Sequence, residues 1–260
     1  MSQGAKTFEI RAADWFLKGG SEMAERIRKF DWRATSLGPV ESWSPALRNT
    51  VSLILASRFP HLLWWGSDYI QFYNDAYSPI PGRKHPDKAL GLPVRECWSE
   101  IWHILRPLID TPFHGGAATW NDDILLEINR HGYVEESHFT IAYSPVPDET
   151  VLSGIGGVLA TVHEITDKVI AERRIGVLKD LGADAFRANT AEEACVVAAN
   201  VLSRHDRDIP FALLYLIDPQ RDHARLAGSC GISVNEPTMA TIDLSLDPWT
   251  NTWPLAAVMK

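Results

Sequence analysis

The sequence predicts an α+β fold: a five-stranded antiparallel sheet with flanking helices, then a long helix and a second, smaller α+β region. Three observations carry this. Two pairs of strand-like runs, at 61–74 and 118–146, are each joined by a short polar turn. Helix-periodic segments stand before and between these pairs instead of following every strand, the segregated pattern of an α+β domain. The stretch GGVLATVHEITDKVIAERR, residues 156–174, passes from apolar strand to charged helix with no turn between them.

The elements follow in order. FEIRAADWFLK (8–18) is a helical candidate. SEMAERIRKF (21–30) places Met23, Ile27 and Phe30 on one helical face. TSLGPVESW is a loop by its Gly-Pro pair and polar content. Ser44-Pro45 supplies an N-cap and a proline at the first helical position, and Leu47, Val51, Ile54 and Leu55 form one apolar face before Phe59-Pro60 stops the helix. HLLWWG and YIQFYN read as a hairpin around Ser67-Asp68. NDAYSPIPGRKHP is turn-rich, with room for one helical turn. CWSEIWHILRPLI has helical spacing, and Pro107 is expected to kink or shorten it. Two strands then turn at Arg130-His131-Gly132. In the second, Tyr133, Glu135, Ser137, Phe139, Ile141 and Tyr143 share one face by period two. Ile155 to Val162 is a last strand. Counted together, the strands of this part number five, with helices expected against one side of the sheet.

Thr166 can cap the helix that follows, and Asp167 suits the positive end of its dipole. Ala171, Ile175 and Leu178 are spaced by four and three, a coiled-coil-like seam. AEEACVVAANVLSRH (191–205) is a further helix, with Ala194, Val197, Ala198, Val201 and Leu202 on one face. FALLYLID and HARLAGSC are strands around the turn DPQRD, and the last thirty residues carry only weak strand and turn signals. Two strands do not close a stable sheet, so the second domain is expected to be incomplete or the chain a fragment. The expected organisation is an N-terminal helical extension (1–44), a sheet domain (45–166), a linker helix (167–187) and a partial α+β domain (188–260).

Composition narrows the function. The 260 residues are 45% hydrophobic and 22% charged, with 25 basic and 33 acidic residues and a net charge of −8. No basic stripe stands out, which argues against nucleic acid and against an anionic membrane face. No signal-peptide pattern opens the chain, and its apolar runs fall far short of the ~20 residues that span a bilayer. Three scattered cysteines, Cys97, Cys195 and Cys230, fit a reducing cytoplasm better than a disulfide framework. The nine histidines form no His-x-His or His-Glu-x-x-His, and Cys-x-x-Cys is absent, so no metal site is expected. His114-Gly115-Gly116 lacks a nucleophile elbow, and Gly154-Ile155-Gly156-Gly157 enters a strand where a phosphate cradle needs a helix. The pairs Asp122-Asp123 and Glu135-Glu136 point to opposite faces of their strands. No catalytic residues are assigned, and the chain is not expected to be an enzyme.

Three features in order resemble a PAS sensory domain over roughly 45–166. They are Tyr73-Asn74-Asp75-Ala76-Tyr77 after the first hairpin, Gly91 ahead of Val94 and Trp98, and Gly157 to Thr166 ending in Glu164-Ile165-Thr166. The run from Asp31 to Gly66 resembles the N-terminal PAS of bacterial hybrid histidine kinases, and residues 178–260 resemble the first half of a GAF domain. The chain departs from the PAS pattern at Glu164, where Asp is usual. The resemblance implies a cytoplasmic sensory module of a bacterial signalling protein of the histidine-kinase kind, whose kinase or other output domain is expected outside this chain. Its phosphoacceptor and ATP-binding boxes are absent from the sequence. The implied pocket draws on Trp64 or Trp65, Phe72, Tyr77, Trp98, Trp102, Phe139 and Tyr143, with His138 and Ser144 as polar candidates; core packing is the competing reading of these aromatics. The implied relay is Glu164, Ile165 and Thr166. No cofactor is named: Cys97 sits in Arg-Glu-Cys-Trp, not in a flavin-adduct motif, and a lone helical His103 does not indicate haem. A small-molecule ligand and a homodimer are the expected partners, the alternative being a ligand-free dimerisation or docking module.

Overall fold

The computed structural model describes residues 16–17, 20–186, 188–220, 222–233 and 240–245. The helical segment expected at 8–18 lies outside them, apart from Phe16 and Leu17, which are buried. The chain divides into two compact units, residues 1–166 and 167–260.

In the first unit, α1 (Glu22–Lys29) starts at Ser21, whose hydroxyl accepts from the Ala24 amide at 3.2 Å. It buries Met23 and Ile27 as its spacing required. Single 3-10 turns at Trp32–Ala34 and Val40–Ser42 occupy the predicted loop. Next comes α2 (Pro45–Ala56), capped by Ser44 accepting from the Leu47 amide at 3.1 Å. The strands β1 (His61–Trp65) and β2 (Ile70–Tyr73) form the expected hairpin. The short α3 (Val94–Cys97) precedes α4 (Trp102–Phe113). Pro107 lies inside α4 without stopping it. Its side is exposed, so the carbonyl left without its amide partner faces water. The strands β3 (Thr119–Asn129), β4 (Val134–Pro147) and β5 (Ile155–Glu164) complete the sheet.

The sheet is antiparallel throughout, in the order β2-β1-β5-β4-β3. The last strand thus lies in the middle, with Leu62 opposite Ala160 and Tyr143 opposite Ala160 from the other side. Gly157 allows this insertion: a β-carbon there would come within 2.4 Å of the Trp64 carbonyl oxygen. One face carries Leu62, Trp64, Leu126, Phe139, Ile141, Tyr143 and Val162, with α4 contributing Leu105 above it. The reverse face of β1 and β2 is also covered. There Phe72 stacks on Trp32 at 4.6 Å and meets Trp43 edge-on at 5.3 Å. Helices were expected on one side only; instead every residue of β2 is buried, because the segment before α2 closes the second face. The described part of 1–44 therefore belongs to the same core as the sheet.

The long helix α5 (Thr166–Ala185) follows β5 after one residue, Ile165. The second unit adds α6 (Ala191–Leu202), capped by Thr190, and the strands β6 (Ala212–Ile217), β7 (His223–Cys230) and β8 (Thr241–Asp243). The strand order is β6-β7-β8. The third strand is the correction here: three residues are too few to show a period, and only pairing with His223–Arg225 reveals them. On α6, Val201 of the predicted face is buried and Val197, Ala198 and Leu202 are half-buried, while Ala194 is exposed and Ala199 is buried in addition.

Candidate functional site

The inner face of the sheet encloses a cavity of about 30 Å³, lined by twelve side chains that include Leu62, Trp64, Tyr77, Trp98, Phe139 and Tyr143. Trp64 stacks on Tyr143 with ring centroids 5.8 Å apart. The Trp64 indole donates to the buried Gln71 side-chain oxygen at 3.2 Å, which fixes the ring. Tyr77 is positioned by Asn74, whose side-chain oxygen accepts from the Tyr77 amide at 3.1 Å. The Asn74 amide group in turn donates to the carbonyls of Ile54, Ser57 and Phe59, at 3.0, 3.1 and 2.7 Å. Asn74 thereby clamps the end of α2 to the first hairpin and aims Tyr77 inward. Burial raises the phenol pKa of Tyr77 and of Tyr143 well above the ordinary value, so both stay protonated.

The Tyr143 hydroxyl is fully buried and has no hydrogen-bond partner among the described residues. Such a group costs about 1–3 kcal/mol unless a water or ligand meets it. A cavity of this size holds about one or two waters. It is well below the ~300 Å³ at which drug-sized sites begin.

The strand–helix joint sits on the same two strands that wall this cavity. Arg130, at the β3–β4 turn, grips Glu164 with both terminal nitrogens, at 2.9 and 2.7 Å, and reaches Glu135 through Nε at 3.1 Å. Burial opposes ionisation of Glu164, yet the Arg130 hydrogen bonds and charge outweigh it and hold its pKa below the usual carboxylate value. The Ile165 amide donates to the His138 carbonyl at 2.8 Å. The Thr166 hydroxyl accepts from the His138 amide at 3.0 Å and donates to Glu164 at 3.1 Å. Thr166 was expected to cap α5; its hydroxyl is instead tied to β4 and to Glu164. The Glu164 side chain, one methylene longer than Asp, spans to Arg130 in the bidentate geometry that makes such pairs strong.

Five of the candidate residues line the cavity, Trp64, Tyr77, Trp98, Phe139 and Tyr143, and Trp65 lies outside the lining. Phe72, Trp102 and His138 do not line it either. Phe72 points to the opposite face, toward Trp32 and Trp43, because it pairs with Leu63 and not with Trp64. Trp102 faces an outer groove beside Tyr69. His138 lies on the outer face of β4, as the period of the strand requires, with Nδ1 2.6 Å from Asp123 and Nε2 2.9 Å from Glu136. Cys97 is buried outside the lining, and burial pushes its thiol up to about 11. His103 is exposed.

Sequence reasoning missed Leu62, Ile101, Leu105, Leu126, Ile128, Ile141 and Val162, the aliphatic half of the wall. Period two on each strand carried that signal for Leu62 and Ile141. It also missed Arg130, whose role needs the fold. In the second unit, the exposed turn residues Asp218, Asp222 and His223 come close together, with His223 Nδ1 2.9 Å from Asp222. Exposed acidic groups of this kind are common without an ion, and these three pair with one another. Among the described residues, no helix is long and apolar enough to cross a membrane.

No protein-family model matches the chain. No curated protein matches it. Among solved structures, the PAS domain of Bordetella pertussis BvgS is similar at 19% identity and a TM-score of 0.38, covering 51% of this chain and 96% of that one. A PAS domain from Colwellia psychrerythraea gives 10% identity and 0.36, covering 46% and 98%. A LOV protein of Rhodobacter sphaeroides gives 13% and 0.35, covering 62% and 80%. At these scores and identities the likeness carries no argument about function.

Proposed function

We propose that residues 45–166 form a PAS-type sensory input module of a signalling protein, and that 164–166 relay its state into α5. One observation carries the reading: the cavity wall and the joint share β4 and β5. Phe139 and Tyr143 face the cavity, while His138, the residue before Phe139, holds both Ile165 and Thr166 through its main chain. A change of packing at Phe139 reaches the joint through one residue. The buried, unpartnered Tyr143 hydroxyl supports a ligand that is small, largely apolar and able to accept one hydrogen bond. The module then belongs to the input side of a histidine kinase or similar protein in the cytoplasm, with a partial GAF-like domain after the helix. A homodimer through the α5 seam fits the same reading, since Ile175 and Leu178 are 63% and 69% exposed.

The test is Ile165→Pro in a full-length signalling protein. Proline removes the amide that bonds His138 and should abolish regulated output while the folded module still melts cooperatively. Regulated output that survives this break would remove the joint from the mechanism. A second reading, a ligand-free dimerisation or docking module, is favoured by the small cavity volume. A thermal-shift screen with small apolar metabolites separates the two, because a ligand bound only by the folded form raises the melting temperature. No shift with any compound favours the second reading.

A further inference from the structure

A second candidate site lies on the outside of the first unit, and it does not rest on the sensory reading. The β1–β2 turn, α3 and α4 border a groove of about 440 Å³. That volume falls in the ~300–1,000 Å³ range of small-molecule sites, unlike the inner cavity.

Its floor is a strained residue. Tyr69 has φ of 53°, the left-handed conformation, which costs a residue with a side chain about 1 kcal/mol or more. The conformation is held on every side. The Tyr69 amide donates to the Gly66 carbonyl at 3.0 Å, and its own carbonyl accepts from the Val94 amide at 3.1 Å. Its hydroxyl donates to Asp110 at 2.6 Å. Its ring meets Phe113 edge-on at 4.9 Å and Trp102 at 6.1 Å. Burial and the Asp110 carboxylate raise the phenol pKa, so the hydroxyl remains a donor. The result is a rigid aromatic wall on two helices and a turn.

The charges bordering the groove are unequal in their commitments. Asp110 is used twice, by Tyr69 and by Arg106 at 3.2 Å. Arg95 and Asp68 line the same groove, and neither has a hydrogen-bonding or ionic side-chain partner among the described residues. One cation and one anion are therefore left over beside an aromatic surface. A simple anion would use only half of this arrangement, since Asp68 repels it. A guanidinium takes a carboxylate in two parallel hydrogen bonds, a carboxylate takes an ammonium, and Trp102 with Phe113 offers ring faces and edges to an aromatic body.

The geometry points to a site for a free amino acid with an aromatic side chain, its carboxylate on Arg95, its ammonium on Asp68 and its ring against Trp102 and Phe113.

Titration calorimetry on the full chain tests this with L-phenylalanine and L-tryptophan, and with phenylacetate and phenethylamine as analogues lacking one charge each. The expected result is saturable binding of the amino acids, with each analogue weaker by about tenfold or more, the usual effect of losing one charge-assisted contact. Arg95→Ala and Asp68→Asn should each weaken L-phenylalanine binding by a similar factor. Circular dichroism should show both variants folded, since neither side chain packs in the core. The analogue series on the unaltered protein tests the idea independently of either variant. Phenylacetate binding as tightly as L-phenylalanine overturns the zwitterion. So does amino-acid binding that survives both substitutions, or no saturable heat up to about 10 mM, beyond the millimolar edge of specific recognition.

Discussion

Tyr143 and His138 lie on opposite faces of one strand and face opposite problems. The Tyr143 hydroxyl is buried with nothing to bond. Tyr143→Phe removes that cost and keeps the ring that stacks on Trp64. The unliganded variant should match the parent or exceed it by up to about 1 kcal/mol in urea denaturation; a clear loss of stability would mean that the hydroxyl is satisfied in solution. His138 is over-supplied with partners. Burial lowers its pKa, but hydrogen bonds and charge from Glu136 and Asp123 outweigh this and raise it above the ordinary 6.5. Glu127 pairs opposite Glu136, and His163 opposite Thr140, on the same outer face. The sign follows from linkage: a raised folded-state value means stability fully present below pH 6.5 and lost as pH rises through the raised value. Denaturation midpoints should therefore fall on the alkaline side of 6.5 in the parent and fall less in His138→Gln. Equal slopes in the two proteins would show that the imidazole does not titrate in this way.

At the scale of elements, the β3–β4 turn is fastened to the end of β5 by one guanidinium. Arg130 and Glu164 have side chains only 13% and 28% exposed. Arg130→Ala strands two carboxylates, Glu164 and Glu135, in a partly buried place. It should cost about 2–4 kcal/mol, a little under the ~3–5 kcal/mol for breaking a fully buried pair from one side, because these side chains keep some exposure. Glu164→Asp shortens the reach by one methylene and should cost less, about 1 kcal/mol, as one of the paired hydrogen bonds is lost. Urea midpoints of the two variants check the order; Asp as harmful as the loss of Arg130 would mean that the charge matters less than its exact reach. The same scale explains Pro107. A proline breaks a helix when the bond it removes is buried, and here the exposed side of α4 leaves the freed carbonyl to solvent.

For the molecule as a whole, the two units have separate buried sets. The large core runs from Phe16 to Val162, and the second unit buries its own Val177, Val201, Ala224 and Ile242. Eight of the ten tryptophans, from Trp15 to Trp120, precede residue 167. Tryptophan fluorescence should therefore follow the first unit, while far-UV circular dichroism follows both. The two urea transitions are expected not to coincide, and a single shared transition would show that the units unfold as one.

The sequence by itself determined what short-range chemistry decides. Ser44-Pro45 started a helix, Arg130 to Gly132 turned a hairpin, period two put Phe139, Ile141 and Tyr143 on one face, and the missing turn after Glu164 left a strand running into a helix. Only the tertiary structure decided which faces meet. Register set Phe72 against Trp32 and away from Trp64, placed β5 between β1 and β4, recruited the three-residue β8, and brought Arg130 to Glu164; the fold put Arg95 and Asp68 on the border of one groove. The physical reason is that a periodic pattern tells which residues of one strand share a side. What covers that side is settled by contacts between segments far apart in the chain.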